Sequence, residues 1–191
     1  MSHFTTIKTE IRDIEAMRAA VARMGFELKK DAECRYFYGT EKKDYVLVLP
    51  GKYDAALEKQ DNGSYLLTAD FFKGYVLNCI GENGNKLLQA YAVEKAKLEA
   101  RKRGFSVTER KEGESLLLTI RDPQGSSLKA WVGLDGQTTF QPDGIRGKSC
   151  MKFMELEKDL GFIEEHRHTN DYYTEDEVLQ EIKIKGHFLC G

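Results

Sequence analysis

This 191-residue sequence predicts an α+β fold, mainly antiparallel sheet with three amphipathic helices packed on one face, and three observations lead there. First, a helix–Gly–Phe–strand signature occurs three times, at Met24-Gly25-Phe26, Arg103-Gly104-Phe105 and Leu160-Gly161-Phe162. Glycine just past a helix can take the left-handed conformation that a Cβ opposes, and the apolar residue after it folds back on the last turn. Second, turn chemistry at Asn62-Gly63, Asp122-Pro123-Gln124-Gly125 and Asp135-Gly136 separates strand-like segments. Third, these segments come in blocks between the helices. Such segregation favours antiparallel sheet over a doubly wound parallel one.

In chain order, Phe4 to Ile11 alternates as a strand does. The first helix opens on Asp13, a good N-cap, and puts Ile14, Met17, Val21 and Met24 on one face. Extended segments are expected at Cys34 to Tyr38 and Tyr45 to Leu49. Tyr53 to Glu58 and Ser64 to Ala69 flank the Asn-Gly turn and read as a hairpin. The second helix runs from about Asn85 to Arg103, rich in Ala, Lys and Glu, burying Leu87, Leu88, Tyr91, Ala92 and Leu98. Ser115 to Arg121 and Leu128 to Gly133 flank the Pro-Gln turn, and Leu128 to Phe140 reads as a further hairpin. The third helix opens near Ser149 and buries a subset of Cys150, Phe153, Met154 and Leu160. A fourth, weaker one follows Thr174, which has Glu177 at capping-box spacing. The Asp122–Gly125 turn is the expected boundary, giving domains at 1–122 and 126–191.

Composition narrows the class. The chain is 41% hydrophobic and 31% charged, as globular proteins are. A net charge of −2 argues against a dedicated nucleic-acid binder. Charge is uneven: Lys86 to Glu112 holds eight basic and four acidic residues, Glu155 to Glu181 ten acidic and two basic. These faces are either solvated or, for the acidic one, a docking surface for a basic partner. The longest apolar run, Tyr45 to Leu49, is far too short to span a bilayer, and the amino terminus lacks the marks of a signal peptide. Cys34, Cys79, Cys150 and Cys190 form no Cys-x-x-Cys pair, which points to reduced thiols in a cytoplasmic protein and to no metal or cluster cofactor.

The opening Met1 to Asp13, with Tyr53-Asp54, Asn62-Gly63-Ser64-Tyr65, Ala69-Asp70, Leu88 to Ala92 and Gly104-Phe105-Ser106, resembles the hypothetical chloroplast reading frame thirty-five family of cyanobacteria, plastids and other bacteria. These residues keep the family's order over 1–121. Phe71-Phe72-Lys73-Gly74-Tyr75 departs from it, replacing a stretch that carries tryptophan. From Leu128 to Tyr173 the chain resembles a second small bacterial family through Asp135-Gly136, Gly144 to Cys150 and Asp171-Tyr172-Tyr173. The double resemblance implies a natural fusion of two families of unknown function. It also implies a gene neighbourhood with an ATPase of the AAA class and a small ferredoxin.

Four groups of residues are candidate sites. The loop Gly144-Ile145-Arg146-Gly147-Lys148-Ser149-Cys150 joins glycines, two cations, a hydroxyl and a thiol at an expected helix start. Unpaired N–H groups there favour an anion, and a thiol there has a lowered pKa. It is not a Walker loop, because Pro142 stands where that pattern needs glycine. The competing reading is structural, with Ser149 capping the helix and Cys150 packed. His166 and His168 share a strand face, with Asp171 beyond, and are the weak metal-ligand candidates; His3 has no partner visible in the sequence. Asp70, Phe71, Phe72 and Tyr75 form an aromatic cluster expected in the core, and an interaction patch if exposed. The apolar ending Gly186 to Gly191 reads as a docking tail.

No catalytic constellation emerges, so the sequence favours a non-enzymatic accessory or adaptor protein with a protein partner, the AAA-type ATPase implied by the resemblance. The alternatives are a thiol or redox function at Cys150, and an anion- or nucleotide-binding module using Arg146 and Lys148.

Overall fold

The computed structural model describes residues 3–8, 10–143, 153, 155, 156, 158–160 and 162–168. Its strands are β1 (His3–Lys8), β2 (Glu27–Tyr36), β3 (Gly39–Val48), β4 (Ala55–Lys59), β5 (Tyr65–Ala69), β6 (Ser106–Glu112), β7 (Ser115–Arg121), β8 (Ser127–Val132), β9 (Thr138–Asp143) and β10 (Phe162–His168). Its helices are α1 (Ile14–Arg23), α2 (Tyr75–Ile80) and α3 (Asn85–Lys102). Residues 153, 155, 156 and 158–160 are also helical. Every strand pairing is antiparallel, and the fold is α+β.

The chain forms two compact units. One holds Met1–Lys8, Ala96–Gly133 and Gln137–Gly191, the other Thr9–Lys95 and Leu134–Gly136. The first unit carries a six-stranded sheet in the order β10-β1-β9-β8-β7-β6. Here the division differs from the expected boundary at Asp122–Gly125. β7 and β8 pair from Leu116↔Val132 to Arg121↔Ser127 across that turn, and the first strand of the chain lies between β9 and β10. A sheet that uses both ends of the chain has no seam at its middle. Asp122 explains the turn: its Oδ1 accepts from the N–H groups of Gln124 and Ser126.

Alternation in β7 and β8 sorts this sheet into two faces. Leu118, Ile120, Leu128, Ala130, Val132 and Phe140 are fully buried on one. Thr108, Arg110, Thr119, Arg121, Ser127 and Lys129 occupy the other. The rings of Phe105 and Phe153 pack at 4.9 Å with a 35° tilt, and Arg103 pairs with Asp159, which ties the end of α3 to the helical residues from 153 onward.

The second unit carries the four-stranded sheet β2-β3-β4-β5. The Asn62-Gly63 hairpin forms as expected, with Lys59 opposite Tyr65 and Gly63 at φ +80°. Asp13 caps α1 by accepting from the N–H groups of Glu15 and Ala16, and its carboxylate also pairs with Lys95 at 2.8 Å. Ala16, Met17, Ala20 and Val21 form the buried face of α1, while Ile14 and Met24 are only half-buried. The helix ends as its glycine predicts: Gly25 stands at φ +79°, Phe26 N–H reaches the Val21 carbonyl and Gly25 N–H that of Ala22. The same pattern closes α3 at Gly104-Phe105 with bonds to Ala100 and Arg101. The third signature, at Gly161, lies outside the described residues.

In the α3 segment of this unit, Tyr91 is 2% exposed, and its hydroxyl accepts from the N–H groups of Arg12 and Asp13. That bond anchors the start of α1. Sequence reading missed α2 and the 3₁₀ turns Phe72–Gly74 and Glu82–Gly84, because these segments are too short to show a period.

Candidate functional site

The described side chains that packing least explains gather at one end of the four-stranded sheet. Tyr36 and Gly39 pair directly, so Phe37 and Tyr38 are the two loop residues of the β2–β3 hairpin. Two-residue hairpin loops favour Gly, Asn or Asp with positive φ. Neither residue here has positive φ, and Gly39 absorbs the geometry at φ +137°. Turn chemistry therefore gives no reason for two aromatic rings at this tip. They are 65% and 71% exposed.

A second loop meets the tip. Asp70, at the end of β5, accepts from the Phe72 N–H through Oδ1 at 2.9 Å and from the Phe37 N–H through Oδ2 at 3.0 Å. One carboxylate thus joins the two loops. It holds the rings of Phe37 and Phe72 edge to face at 5.0 Å. Lys73, forced to φ +57° within the 3₁₀ turn, places its ammonium 5.3 Å from the Phe72 ring.

Behind these rings the cluster becomes core. Phe37 meets Tyr53 at 6.5 Å, and Tyr53 meets Tyr75 at 5.3 Å, both edge to face. Tyr75 packs on Gly51, where a Cβ would lie 3.0 Å from the tyrosine's own Cβ. On the tip's other side Tyr38 stacks on Tyr36 at 5.4 Å. The base is fixed by Asp54, 2% exposed, whose carboxylate takes the Arg35 guanidinium at 2.7 Å through both oxygens and the Leu49 N–H at 2.9 Å. Burial alone would raise this carboxyl's pKa; the Arg35 fork and the N–H groups of Leu49 and Arg35 outweigh it and hold the pKa below the usual value.

The expectation that Phe71, Phe72 and Tyr75 form core is therefore corrected. Phe71 is 37% and Phe72 48% exposed, because Asp70 turns the chain outward, and of the three only Tyr75 is half-buried. Phe37 and Tyr38 were missed as site residues. The signal was present as Tyr36-Phe37-Tyr38-Gly39, three aromatic residues running into a glycine.

Arg146, Gly147, Lys148, Ser149 and Cys150 lie outside the described residues, as do Asp171 and 186–191. His166 and His168 lie on β10, and backbone alone is described there. Among the described residues no group of His, Cys, Asp and Glu could hold a metal ion, and no helix is long and apolar enough to cross a membrane. Cys34 and Cys79 are free thiols, and burial pushes the pKa of both up, the opposite of what a reactive thiol needs.

The chain is matched over residues 20–119 by the model of a family described as protein of unknown function DUF1257. The match covers more than half of the sequence, and the chain belongs to that family. Comparison with curated proteins and with solved structures finds no match to either. Tyr53-Asp54 and Ala69-Asp70 fall inside the matched span, so the family's region contains both carboxylates that build the aromatic end.

Proposed function

We propose that the protein is a non-enzymatic accessory or adaptor protein that acts in the cytoplasm and binds a protein partner through Phe37, Tyr38, Phe71 and Phe72. The partner in this reading is an AAA-type ATPase, and the chain is a fusion in which a second family's region follows residue 128. One observation carries the reading: four aromatic side chains stand exposed on two loops that a single carboxylate locks together. Exposing such rings to water is unfavourable in the free protein, and rigid aromatic anchors are what protein interfaces concentrate at their centres. The Asp70 bonds reduce the ordering cost of association, since the rings are already held.

The test compares the tagged wild-type chain with Phe37→Ser/Tyr38→Ser/Phe72→Ser as baits in native lysate, with captured proteins identified by mass spectrometry. The expected result is an AAA-class ATPase retained by the wild type and lost from the variant. Equal retention by both would overturn the surface. Absence of such an ATPase from both would overturn the partnership.

A further inference from the structure

The outer face of the six-stranded sheet holds a feature that the adaptor reading does not use. A cavity of about 390 Å³ is lined by Thr108, Arg110, Leu117, Thr119, Arg121, Ser127, Lys129 and Asp143. Its size is within the range of small-molecule sites. The register fixes its layout. Arg121 lies directly opposite Ser127, and Thr119 opposite Lys129, with Thr108 beyond Thr119 on the neighbouring strand. Directly opposed residues on one face of an antiparallel pair are neighbours, and diagonal ones are within reach of long side chains. Guanidinium, ammonium and two hydroxyls therefore occupy four adjacent positions.

The charges in this cavity are unequally satisfied. Arg110 pairs with Glu112, and Lys129 with Asp143 at 3.3 Å. Among the described residues Arg121 has no carboxylate partner. Three cations face one lining acid, and the hydroxyls of Thr108, Thr119 and Ser127 supply further donors. A planar carboxylate is satisfied by the guanidinium fork alone. A tetrahedral phosphate has acceptor oxygens left over for the ammonium and the hydroxyls. We propose that this face binds a small phosphorylated ligand, with Arg121 and Lys129 gripping the phosphate and Thr119 and Ser127 donating to its remaining oxygens.

Acids at both ends of the cavity favour a compact ligand over a nucleic-acid strand. Glu112 stands beside Arg110, where it also accepts from the Trp131 indole N–H at 2.8 Å, and Asp143 closes the other side. A continuing phosphate backbone would meet a carboxylate in either direction. A single phosphate at Arg121 meets only Asp143, whose charge Lys129 already offsets at 3.3 Å.

Trp131, opposite Leu117 on the same face and the sole tryptophan of the chain, provides the readout. The full chain is titrated at constant ionic strength with inorganic phosphate, adenosine monophosphate and a short single-stranded oligonucleotide, following indole fluorescence and calorimetry. Saturable binding of phosphate or of the nucleotide is expected, and their relative affinity tells whether the ligand is the bare ion or an ester. Arg121→Gln is expected to weaken it by at least about tenfold, the loss of one charge-assisted hydrogen-bonded contact. Lys129→Gln is the second variant, and Thr119→Val is expected to cost only about threefold. Circular dichroism confirms that each variant folds. The proposal is overturned if neither phosphate nor the nucleotide binds saturably, if Arg121→Gln and Lys129→Gln both bind as the wild type does, or if the oligonucleotide binds more tightly in proportion to its length.

Discussion

The two sheets dispose of their non-core side chains in opposite ways. The four-stranded sheet gathers aromatic rings at one end and supports them with Asp54 and Asp70, so the surface at that end is apolar and held in place. The six-stranded sheet sets most of its apolar complement on one face and spreads arginine, lysine and threonine over the other, around Leu117 and Trp131. Folding requires only that one face of each sheet be apolar. What stands beyond that requirement differs in chemistry, rings in one unit and cationic and hydroxyl side chains in the other.

The largest effect that would break this comparison is expected at the Arg35–Asp54 pair. Arg35→Ala leaves a carboxylate 2% exposed with only backbone N–H partners, at a cost of about 3–5 kcal/mol. Amide exchange in β2 and β4 measures it. The sign of the pH effect follows: because the folded pKa of Asp54 is depressed, its stabilisation is present above the unfolded value of about 3.9 and is lost as pH falls through the folded value. Arg35→Ala should therefore begin to unfold at higher pH than the wild type in an acid titration.

Next comes the contrast between adjacent residues of β7. Leu118→Ala empties a fully buried position and should cost about 2–5 kcal/mol, whereas Thr119→Ala on the opposite face should stay within about 0.5 kcal/mol. Urea unfolding followed by Trp131 emission reports both. Equal costs would mean that the outer face is as much core as the inner. An effect smaller than that of Leu118→Ala is expected at Asp70→Ala, which removes two partly exposed hydrogen bonds for about 1 kcal/mol. Yet it should weaken partner capture, since the two loops then move independently.

Local chemistry made much of this legible. Asp13, Gly25 and Gly104 identify helix ends, and Asn62-Gly63 and Asp122–Gly125 identify hairpins, because each acts on backbone atoms within a few residues. The aromatic end is not local in that sense. Phe37 and Phe72 are thirty-five positions apart in sequence and adjacent only because Asp70 accepts from both backbones. The division into units was hidden for the same reason, as nothing within His3–Lys8 announces that its neighbours are β9 and β10.

The rims of the sheets carry one more consequence. The outer strands β2 and β6 are studded with lysine, arginine and glutamate, and β2 also carries a left-handed residue, Asp31 at φ +50°. Both features deter a foreign strand from adding on. β5, whose one strand neighbour among the described residues is β4, reads Tyr65-Leu66-Leu67-Thr68-Ala69 without a charge; the Tyr65 N–H donates to the Ile11 carbonyl at 2.8 Å, and beyond it Leu66 is 54% exposed. Its acidic residues, Asp61 and Asp70, stand outside it on either side, in the manner of gatekeepers. When the protein is stressed, self-association should therefore start by edge-to-edge pairing along this one short ribbon, with copies meeting back to back.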